Sequence, residues 1–200
     1  VAQLGGRVLQ DLSIINAFSA EMTAEAASEL ARSGSVRWVS PDAPMEQSQT
    51  TTSVPIDNFF LDTLRVRNVW NLRLDGSGIG VAVIDSGIAT DSDWVANPKT
   101  FTFATNSKSA TDIYGHGTHV AGIIAGTGKD SNGKYRGIAP GVTLYAVKIA
   151  DGDGMAYESD VVAGLQWVYD NHNAYNIRVV NLSLNTSTEQ SYHTSPLDAA

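Results

Sequence analysis

The sequence predicts an α/β fold with a parallel, doubly wound sheet, preceded by a small α+β unit. From about residue 54 onward, strand patterns alternate with helical patterns, which is typical of right-handed strand–helix–strand units. Residues 1–45 show a different arrangement, with two strand patterns and one helix. Three elements are too few for an independent core, so we expect another part of the protein to cover this unit.

The N-terminal unit is predicted to contain a strand, a helix and a second strand. Arg7–Leu12 alternates as a strand does, and residues 14–18 are expected to continue in extended form. Thr23 is a suitable N-cap for a helix over residues 24–32, because its hydroxyl can accept a hydrogen bond from a free backbone N–H. Residues 36–40 predict a second strand.

A polar stretch at residues 42–53 separates the two units. It has no periodicity, so it is expected to be a linker, the alternative being an ordinary surface loop. We therefore divide the chain into residues 1–45, a linker with the expected maturation site at 46–53, and residues 54–200. Proteases readily cleave an exposed joint, and we expect maturation cleavage within residues 42–53.

The later part of the chain alternates between apolar strands and helices. Strands are predicted at 78–84, at 143–147 within the segment 141–149, and at 177–184. Helices are predicted at 116–125, after Ser159 as an N-cap, and after Ser195. Near-continuous apolar strands indicate a sheet buried on both faces. The last predicted helix opens with the Ser-Pro pair typical of a helix start, and the sequence ends shortly afterwards. We therefore expect this chain to be a truncated part of a longer protein.

Composition disfavours several classes of function. The 200 residues carry a net charge of −8, which disfavours nucleic acid and anionic membranes as partners. The chain has no cysteine, which excludes disulfides and thiolate metal sites. It has no apolar run of the about 18 residues that a membrane-spanning helix needs.

Asp85 and His116 are the candidate catalytic residues. Asp85 follows the apolar run 81–84, and ligands of parallel sheets bind beyond the carboxyl ends of the strands. Taken alone, Asp85 is more simply explained as a turn aspartate. His116 lies in the first turn of a predicted helix, where the helix dipole favours the neutral imidazole that a general base needs. A carboxylate on its second ring nitrogen would fix the tautomer, so we expect an Asp85 oxygen within about 3.2 Å of His116 Nδ1.

His119 raises an alternative, because it shares a helix face with His116. The two histidines and Asp85 could hold zinc in a metal-dependent hydrolase. The helix lacks the glutamate of the His-Glu-x-x-His zinc motif, and no further ligand is evident. We expect His119 to be a packed, hydrogen-bonded support residue.

Four sequence blocks resemble the subtilisin family of serine endopeptidases, the subtilases. They are residues 81–87 around the acid, 115–122 around the histidine, 137–140 with the strand that follows, and 179–184. The order of acid, then histidine, with the nucleophile still to come, is that of subtilisin. The resemblance covers about residues 54–200 and implies an incomplete sheet of subtilisin type. Residues 1–45 resemble the later part of a subtilase propeptide.

The resemblance implies a serine-type endopeptidase with an Asp-His-Ser triad. Asp85 would orient His116, and His116 would deprotonate a serine that attacks the peptide carbonyl. The family places this serine in a Gly-Thr-Ser segment, which does not occur here, and its oxyanion asparagine is also expected after Ala200. We therefore expect the fragment to be inactive. The implied substrate-pairing residues are Gly154, Met155 and Ala156 on one side and Ser183, Leu184 and Asn185 on the other.

The resemblance also implies partners and cofactors. The implied substrates are polypeptides, the propeptide region is the implied intramolecular inhibitor, and the implied localisation is secreted. No cofactor is required. Many subtilases bind structural calcium and Asp93 lies where one ligand can occur, but loop 126–135 has two lysines and one acid and does not support a site. The alternative to an enzyme is a non-catalytic inhibitor or chaperone module on a degenerate subtilase scaffold.

Overall fold

A four-stranded parallel sheet between helices forms the centre of the fold, and a smaller N-terminal unit packs beside it. The structure is a computed structural model, and it describes residues 1–47, 59–90, 93–186, 188 and 191–200. The strands are β1 Arg7–Leu12, β2 Ala17–Glu21, β3 Pro44–Gln47, β4 Gly80–Asp85, β5 Lys99–Thr102, β6 Thr143–Lys148, β7 Ala156–Tyr157, β8 Ile177–Leu182 and β9 Leu184–Thr186. The helices are α1 Ala24–Ala31, α2 Phe60–Thr63, α3 Val66–Asn71, α4 His116–Ala125, α5 Glu158–Asn171 and α6 Pro196–Ala199.

The parallel sheet has the strand order β5-β6-β4-β8. Its strand β4 is buried at all six residues. Val81 and Val83 pack on the side of α4, whereas Ala82 and Ile84 pack on the side of α5. Helices therefore cover both faces of the sheet, which confirms the predicted parallel, doubly wound α/β fold.

Several predicted elements of the α/β unit are confirmed at or near their expected bounds. The helix predicted at 116–125 is α4, and the strand predicted within 141–149 is β6. α6 begins as expected, since Ser195 Oγ accepts from Asp198 N at 3.2 Å. Among the described helices, none has both the length and the apolar character needed to cross a membrane.

The strand β8 is less buried than the sequence indicates. It lies at an edge of the sheet as far as the structure describes it, and Val179, Val180 and Leu182 are exposed. Apolar composition shows that a strand is suited to burial, but it does not show whether both neighbouring strands are present. The predicted strand also ends early, because Leu184 already belongs to the separate strand β9.

The N-terminal unit begins with a β-hairpin rather than one long extended segment. β1 and β2 pair antiparallel, with Leu12 opposite Ala17. A short 3-10 turn at Ser13–Ile15 joins them, and Asn16 closes it with a φ of 52°. The expected continuation of the strand through residues 14–18 is therefore wrong for the residues of this turn.

The remainder of the N-terminal unit is one helix followed by irregular chain. α1 begins as predicted, since Thr23 Oγ1 accepts from Ala26 N at 3.2 Å. The predicted strand at residues 36–40 is wrong, because these residues adopt no strand structure. A strand needs a partner edge, and the edges offered by β7 and β9 are taken by the following segment, β3.

The helix α5 covers the N-terminal unit. Leu12 is buried against Val162 and Ala163 of this helix. Ser13 Oγ donates to Gln166 Oε1 at 2.9 Å. The small core of the N-terminal unit is thus completed by the α/β unit, as its few elements require.

The strand β3 lies in the stretch that the sequence indicates as a linker. It pairs antiparallel with β7 on one side and β9 on the other. Residues 48–53, the rest of the predicted linker, lie outside the described residues. The polar stretch thus begins as an ordered strand, although its composition has no strand period.

Candidate active site

Asp85 and His116 meet at the carboxyl end of β4. Asp85 is the last residue of this strand, and His116 is the first residue of α4. His116 Nδ1 lies 2.9 Å from Asp85 Oδ1 and 3.0 Å from Oδ2, which meets the geometric expectation. An ionised carboxylate can only accept, so Nδ1 carries the hydrogen and Nε2 is the ring atom that can take up a proton.

The Asp85 carboxylate is almost completely removed from water. Its residue is 1% exposed, and Ser86 N donates to Oδ1 at 2.7 Å. Burial raises the pKa of Asp85, while the hydrogen bonds from His116 and Ser86 act in the opposite direction. A carboxylate in this position stabilises the imidazolium that forms when the ring takes up a proton.

Two glycines allow α4 to approach Asp85. Gly115 precedes the helix with a φ of 88°, in the left-handed region that favours glycine. A Cβ at Gly117 would lie 2.2 Å from the Gly87 backbone oxygen and 3.0 Å from Asp85 Oδ1. The absence of a side chain at Gly117 therefore sets how closely His116 can approach the carboxylate.

Asp112 anchors the start of α4, and the sequence analysis missed it. Its Oδ1 accepts from Ser86 Oγ at 2.8 Å and from Gly115 N at 2.9 Å. Its Oδ2 accepts from Thr118 N at 2.9 Å and from Thr118 Oγ1 at 2.5 Å. Burial by itself raises the pKa of Asp112, but these hydrogen bonds together outweigh burial and lower it. The available signal was an acid just before a helix start, where side chains commonly accept from backbone N–H groups.

Ser86 and Lys148 connect this network to the neighbouring strand β6. Ser86 Oγ accepts from Gly117 N at 2.9 Å. Lys148 is 1% exposed, and its Nζ donates to the Ser86 carbonyl at 2.5 Å. Burial lowers the pKa of Lys148, while the charges of nearby carboxylates raise it. A buried cation thus lies among the acids that surround the start of α4.

The strand β3 occupies a cleft at the carboxyl edge of the parallel sheet. β7 and β9 follow β6 and β8 along the chain, and β6 and β8 are the two strands that flank β4. The cleft between β7 and β9 therefore lies beyond the edge that carries Asp85. Met45 pairs with Ala156 on one side and with Thr186 on the other. Main-chain pairing of this kind is how an extended polypeptide binds as an added strand.

The structure brings three of the predicted substrate-pairing residues into direct register with β3. Ala156 pairs with Met45, Asn185 with Glu46, and Leu184 with Gln47. The other three, Gly154, Met155 and Ser183, lie next to these ladders but outside the paired positions. The two segments therefore lie on opposite sides of β3.

Met45 fills a pocket beside the paired strands. It is 1% exposed and packs with apolar residues that include Leu184 and Leu197. The adjoining cavity has a volume of about 350 Å³. Glu158, which is buried, holds one side of it, because Oε1 accepts from Leu197 N at 3.1 Å and from Ser195 Oγ at 3.3 Å. The apolar surroundings of Met45 therefore suit an apolar side chain of a bound strand, whereas the adjoining cavity is lined by both polar and apolar residues.

Asp42 caps α5 from the N-terminal unit. Its Oδ1 accepts from Ser159 N at 2.9 Å, and its Oδ2 accepts from Ser159 Oγ at 2.5 Å. The Ala43 carbonyl accepts from Glu158 N at 3.0 Å. The prediction that Ser159 caps this helix is wrong, because the helix begins at Glu158 with Tyr157 before it. A carboxylate far away in sequence takes the capping role instead.

His119 does not pack as predicted, because it is exposed on α4. The buried face of this helix is formed by Ala121 and Ala125 instead. Within the described ranges, no three His, Cys, Asp or Glu side chains gather where they could hold a metal ion. In the loop considered for calcium, Thr127 Oγ1 donates to the carboxylate of Asp93.

Comparison with known proteins connects this geometry to a family of proteases. Residues 76–200 match the Subtilase family. A subtilisin from Bacillus sp. (strain TA39) is 39% identical over 130 residues, which are 62% of this chain and 31% of the relative. A thermostable alkaline protease from Halalkalibacterium halodurans is 32% identical over 92% of this chain and 47% of its own length. The minor extracellular protease Epr of Bacillus subtilis is 34% identical over 75% of this chain and 22% of its own length.

The chain thus spans less than half the length of each of these three relatives. The matched residues contain the parallel sheet, α4 and both predicted catalytic residues. On the agreement of sequence and fold, the chain belongs to the subtilase family.

Proposed function

We propose that this chain is part of a serine endopeptidase in which Asp85 and His116 supply two of the three triad residues. The observation that carries the proposal is the 2.9 Å contact between His116 Nδ1 and Asp85 Oδ1 at the carboxyl end of a subtilase sheet. We place the nucleophilic serine and the oxyanion asparagine outside these 200 residues, because the chain has no Gly-Thr-Ser segment and spans less than half the length of each relative named above.

In the proposed reaction His116 is the general base. Its Nε2 takes the proton of the serine hydroxyl as the serine oxygen attacks the peptide carbonyl, and later gives that proton to the leaving amine. Asp85 holds the ring through Nδ1 and stabilises the imidazolium. Asp112 acts as a positioning residue, since it fixes the backbone of the helix turn from which His116 projects.

The N-terminal unit is proposed to be an intramolecular inhibitor. β3 occupies the cleft between β7 and β9, so a polypeptide substrate that pairs with these strands must first displace it. Maturation cleavage is proposed within residues 42–53. If the cleavage falls on the C-terminal side of β3, the N-terminal unit is expected to stay bound until its contacts with α5 break.

A peptidase assay on the full-length protein tests this proposal. We expect cleavage of casein, complete inhibition by a sulfonyl fluoride, and a mass adduct on one serine. His116→Ala is expected to lower kcat/KM by about 10⁴- to 10⁶-fold, as loss of a triad member does. The control is His172→Ala, because His172 lies at the C-terminal end of α5. This substitution is expected to leave kcat/KM unchanged.

Two results would contradict the proposal. One is efficient cleavage that resists serine-directed inhibitors, and the other is stoichiometric zinc that survives dialysis and supports the activity. The 200-residue chain on its own is expected to show negligible peptidase activity, because it contains neither the serine segment nor the oxyanion asparagine of the family. A protein that binds proteases but never hydrolyses peptides would instead support the inhibitor or chaperone alternative.

The whole protein is proposed to be secreted and to act on polypeptides. One relative carries the word extracellular in its name, which supports secretion. The net charge of −8 gives no attraction to nucleic acid or anionic membranes, and we propose neither as a partner. We propose that the enzyme requires no cofactor, so dialysis against a chelator is expected to leave kcat/KM unchanged.

A further inference from the structure

Asp160 is a buried carboxylate in the contact between the N-terminal unit and α5. It is 1% exposed. Within the α/β unit, Thr105 donates its N to Oδ2 at 3.1 Å and its Oγ1 to Oδ1 at 2.7 Å. From β1, Gln10 donates Nε2 to Oδ1 at 3.1 Å. The carboxylate therefore belongs to the α/β unit, and the N-terminal unit closes over it.

Docking of the N-terminal unit changes the surroundings of Asp160 in three ways. Burial of the carboxylate, to which β1 contributes because it lies against α5, is the largest influence and raises its pKa. Asp42 brings a second negative charge, which raises the pKa further. Gln10 adds one neutral donor, which lowers it. The net effect is a raised pKa, so the docked state favours the protonated acid more than free solution does.

An ionised Asp160 can accept from the Gln10 amide nitrogen but cannot donate to the amide oxygen. Gln10 Oε1 is buried and has no hydrogen-bond partner among the residues that the structure describes. An ionised carboxylate has no proton to give to this oxygen, whereas a protonated Asp160 can donate to it once the amide flips. The contact therefore offers a partner to the neutral acid as well as to the charged one.

We propose that Asp160 is a pH-sensitive latch, which holds the N-terminal unit on α5 in acidic solution and weakens this contact as the pH rises. The latch requires that docking take up a proton, that is, that the pKa of Asp160 be higher in the docked state than in the undocked state. The stabilisation is thus fully present below the ordinary carboxyl pKa of 3.8 and is lost as pH rises through the raised pKa of the docked state. The regulatory meaning rests on the proposed inhibitory role of the N-terminal unit, but the latch can be measured without peptidase activity.

The other charged groups considered are Asp42 and those on β1, β2 and α5. Asp42 faces the latch from the irregular chain before β3. On β1, Asp11 is exposed, and Arg7 pairs with Glu21 of β2 at 3.0 Å. On α5 itself, Glu158 is bonded to the start of α6. Since Asp42 and Glu158 are also acids, the contribution of Asp160 is isolated only by changing Asp160 itself.

Hydrogen exchange of the 200-residue chain tests the latch. Amides of β1 and of the first turn of α5 are followed by mass spectrometry from about pH 4 to pH 8, with correction for the intrinsic exchange rate. We expect the opening constant to rise with pH, by up to about tenfold for each unit by which docking raises the pKa. Asp160→Asn, which stays neutral, is expected to abolish the rise. Asp170→Asn, which removes an exposed carboxylate from the same helix, is expected to retain it.

A second variant and a direct titration keep the test independent of how Asp160→Asn folds. Gln10→Glu places another acid against Asp160 and is expected to make the pH dependence steeper. A carboxyl carbon NMR titration of the wild-type chain is expected to place the pKa of Asp160 above 3.8. Exchange that does not change with pH, or an Asp160→Asn chain that keeps the wild-type trend, would overturn the latch.

Failure of the latch and failure of the proposed function give different results. A pH-dependent opening in a protein whose full-length form shows no serine peptidase activity supports the latch and contradicts the proposed function. Peptidase activity combined with pH-independent opening contradicts the latch alone. With both intact, the full-length protein is expected to release its N-terminal unit faster at higher pH than in acidic solution.

Discussion

The parallel sheet and the N-terminal unit are stabilised in different ways. In the sheet, β4 is buried along its whole length and pairs with a strand on each side. In the N-terminal unit, β2 is the only strand that pairs with β1 among the described residues, and Leu12, packed on α5, is the one buried residue of β1. A region with its own core is determined by local patterns, whereas a region without one depends on residues far away in sequence. Substitutions at the contact between the two regions should therefore loosen one of them and leave the other intact.

Met45→Ala is expected to have the largest effect and to weaken the docking of the N-terminal unit. Met45 is 1% exposed, and truncation of such a side chain costs about 2–5 kcal/mol. Hydrogen exchange should show faster opening of β1, β3 and the start of α5, with β4 and β6 unchanged. Val39→Ala, at an exposed apolar residue of the same unit, is expected to change stability by less than about 0.5 kcal/mol. An equal loss of protection in both regions would show that the chain opens as one unit.

Gly117→Ala is the corresponding test inside the α/β unit. The added methyl would meet the Gly87 backbone oxygen at 2.2 Å, so the chain must move, at a cost of about 1–3 kcal/mol. We also expect the His116–Asp85 contact to lengthen, which moves the Nδ1 proton resonance of His116 upfield.

Gly122→Ala is the matched control, because it lies on the same helix with no atom within 4 Å of the added Cβ. Its expected effect is a stabilisation of about 0.5–1 kcal/mol, the usual advantage of alanine over glycine in a helix. Equal destabilisation by both substitutions in thermal unfolding would argue against close packing at Gly117.

The sheet and the Asp85–His116 pair were predictable because local patterns encode them. A continuous apolar run identifies β4, which ends at Asp85. A histidine that follows a glycine identifies the N-terminal end of α4, which faces Asp85. The exposure of β8 was not predictable, since composition does not reveal the neighbours of a strand. Asp112 was missed although its position just before a helix start was a local signal, and only its contact with Ser86, at the end of a different element, lay beyond local reasoning.

The N-terminal unit was predicted less well, because its contacts span long distances in sequence. Residues 36–40 have strand composition but no partner, whereas the polar Pro44–Gln47 segment forms β3 because β7 and β9 offer two free edges. Asp42 lies in a stretch that looks like a linker, yet it caps α5. Ser159 was predicted as the cap because serine is favoured at the N-cap of a helix. In the structure the carboxylate of Asp42, which is distant in sequence, caps the helix instead.

Asp112→Asn is expected to destabilise the start of α4 by about 1–2 kcal/mol, because an amide cannot accept every hydrogen bond that the carboxylate receives. The pKa of Asp112 is lowered in the folded chain, so its stabilising contribution is present above the ordinary carboxyl pKa and is lost as pH falls through the lowered value. Unfolding by denaturant at several pH values should therefore show a flatter acid limb for the variant. An unchanged acid limb would mean that Asp112 is not preferentially ionised in the folded state. Asp130→Asn, in the loop after α4, serves as the control with no expected change.

Asp42→Asn is expected to have the smallest effect, a weakening of docking by about 0.5–2 kcal/mol. Asparagine keeps one acceptor for Ser159 N, but it loses the negative charge at the start of α5 and the second acceptor for Ser159 Oγ. The same change removes the charge that raises the pKa of Asp160, so the pH at which the N-terminal unit loosens should move down. Asp11→Asn, at an exposed residue of β1, should do neither. If the two substitutions gave the same exchange profiles for the first turn of α5, the helix start would not depend on Asp42, and the N-terminal unit would be held by apolar contacts such as that of Leu12 alone.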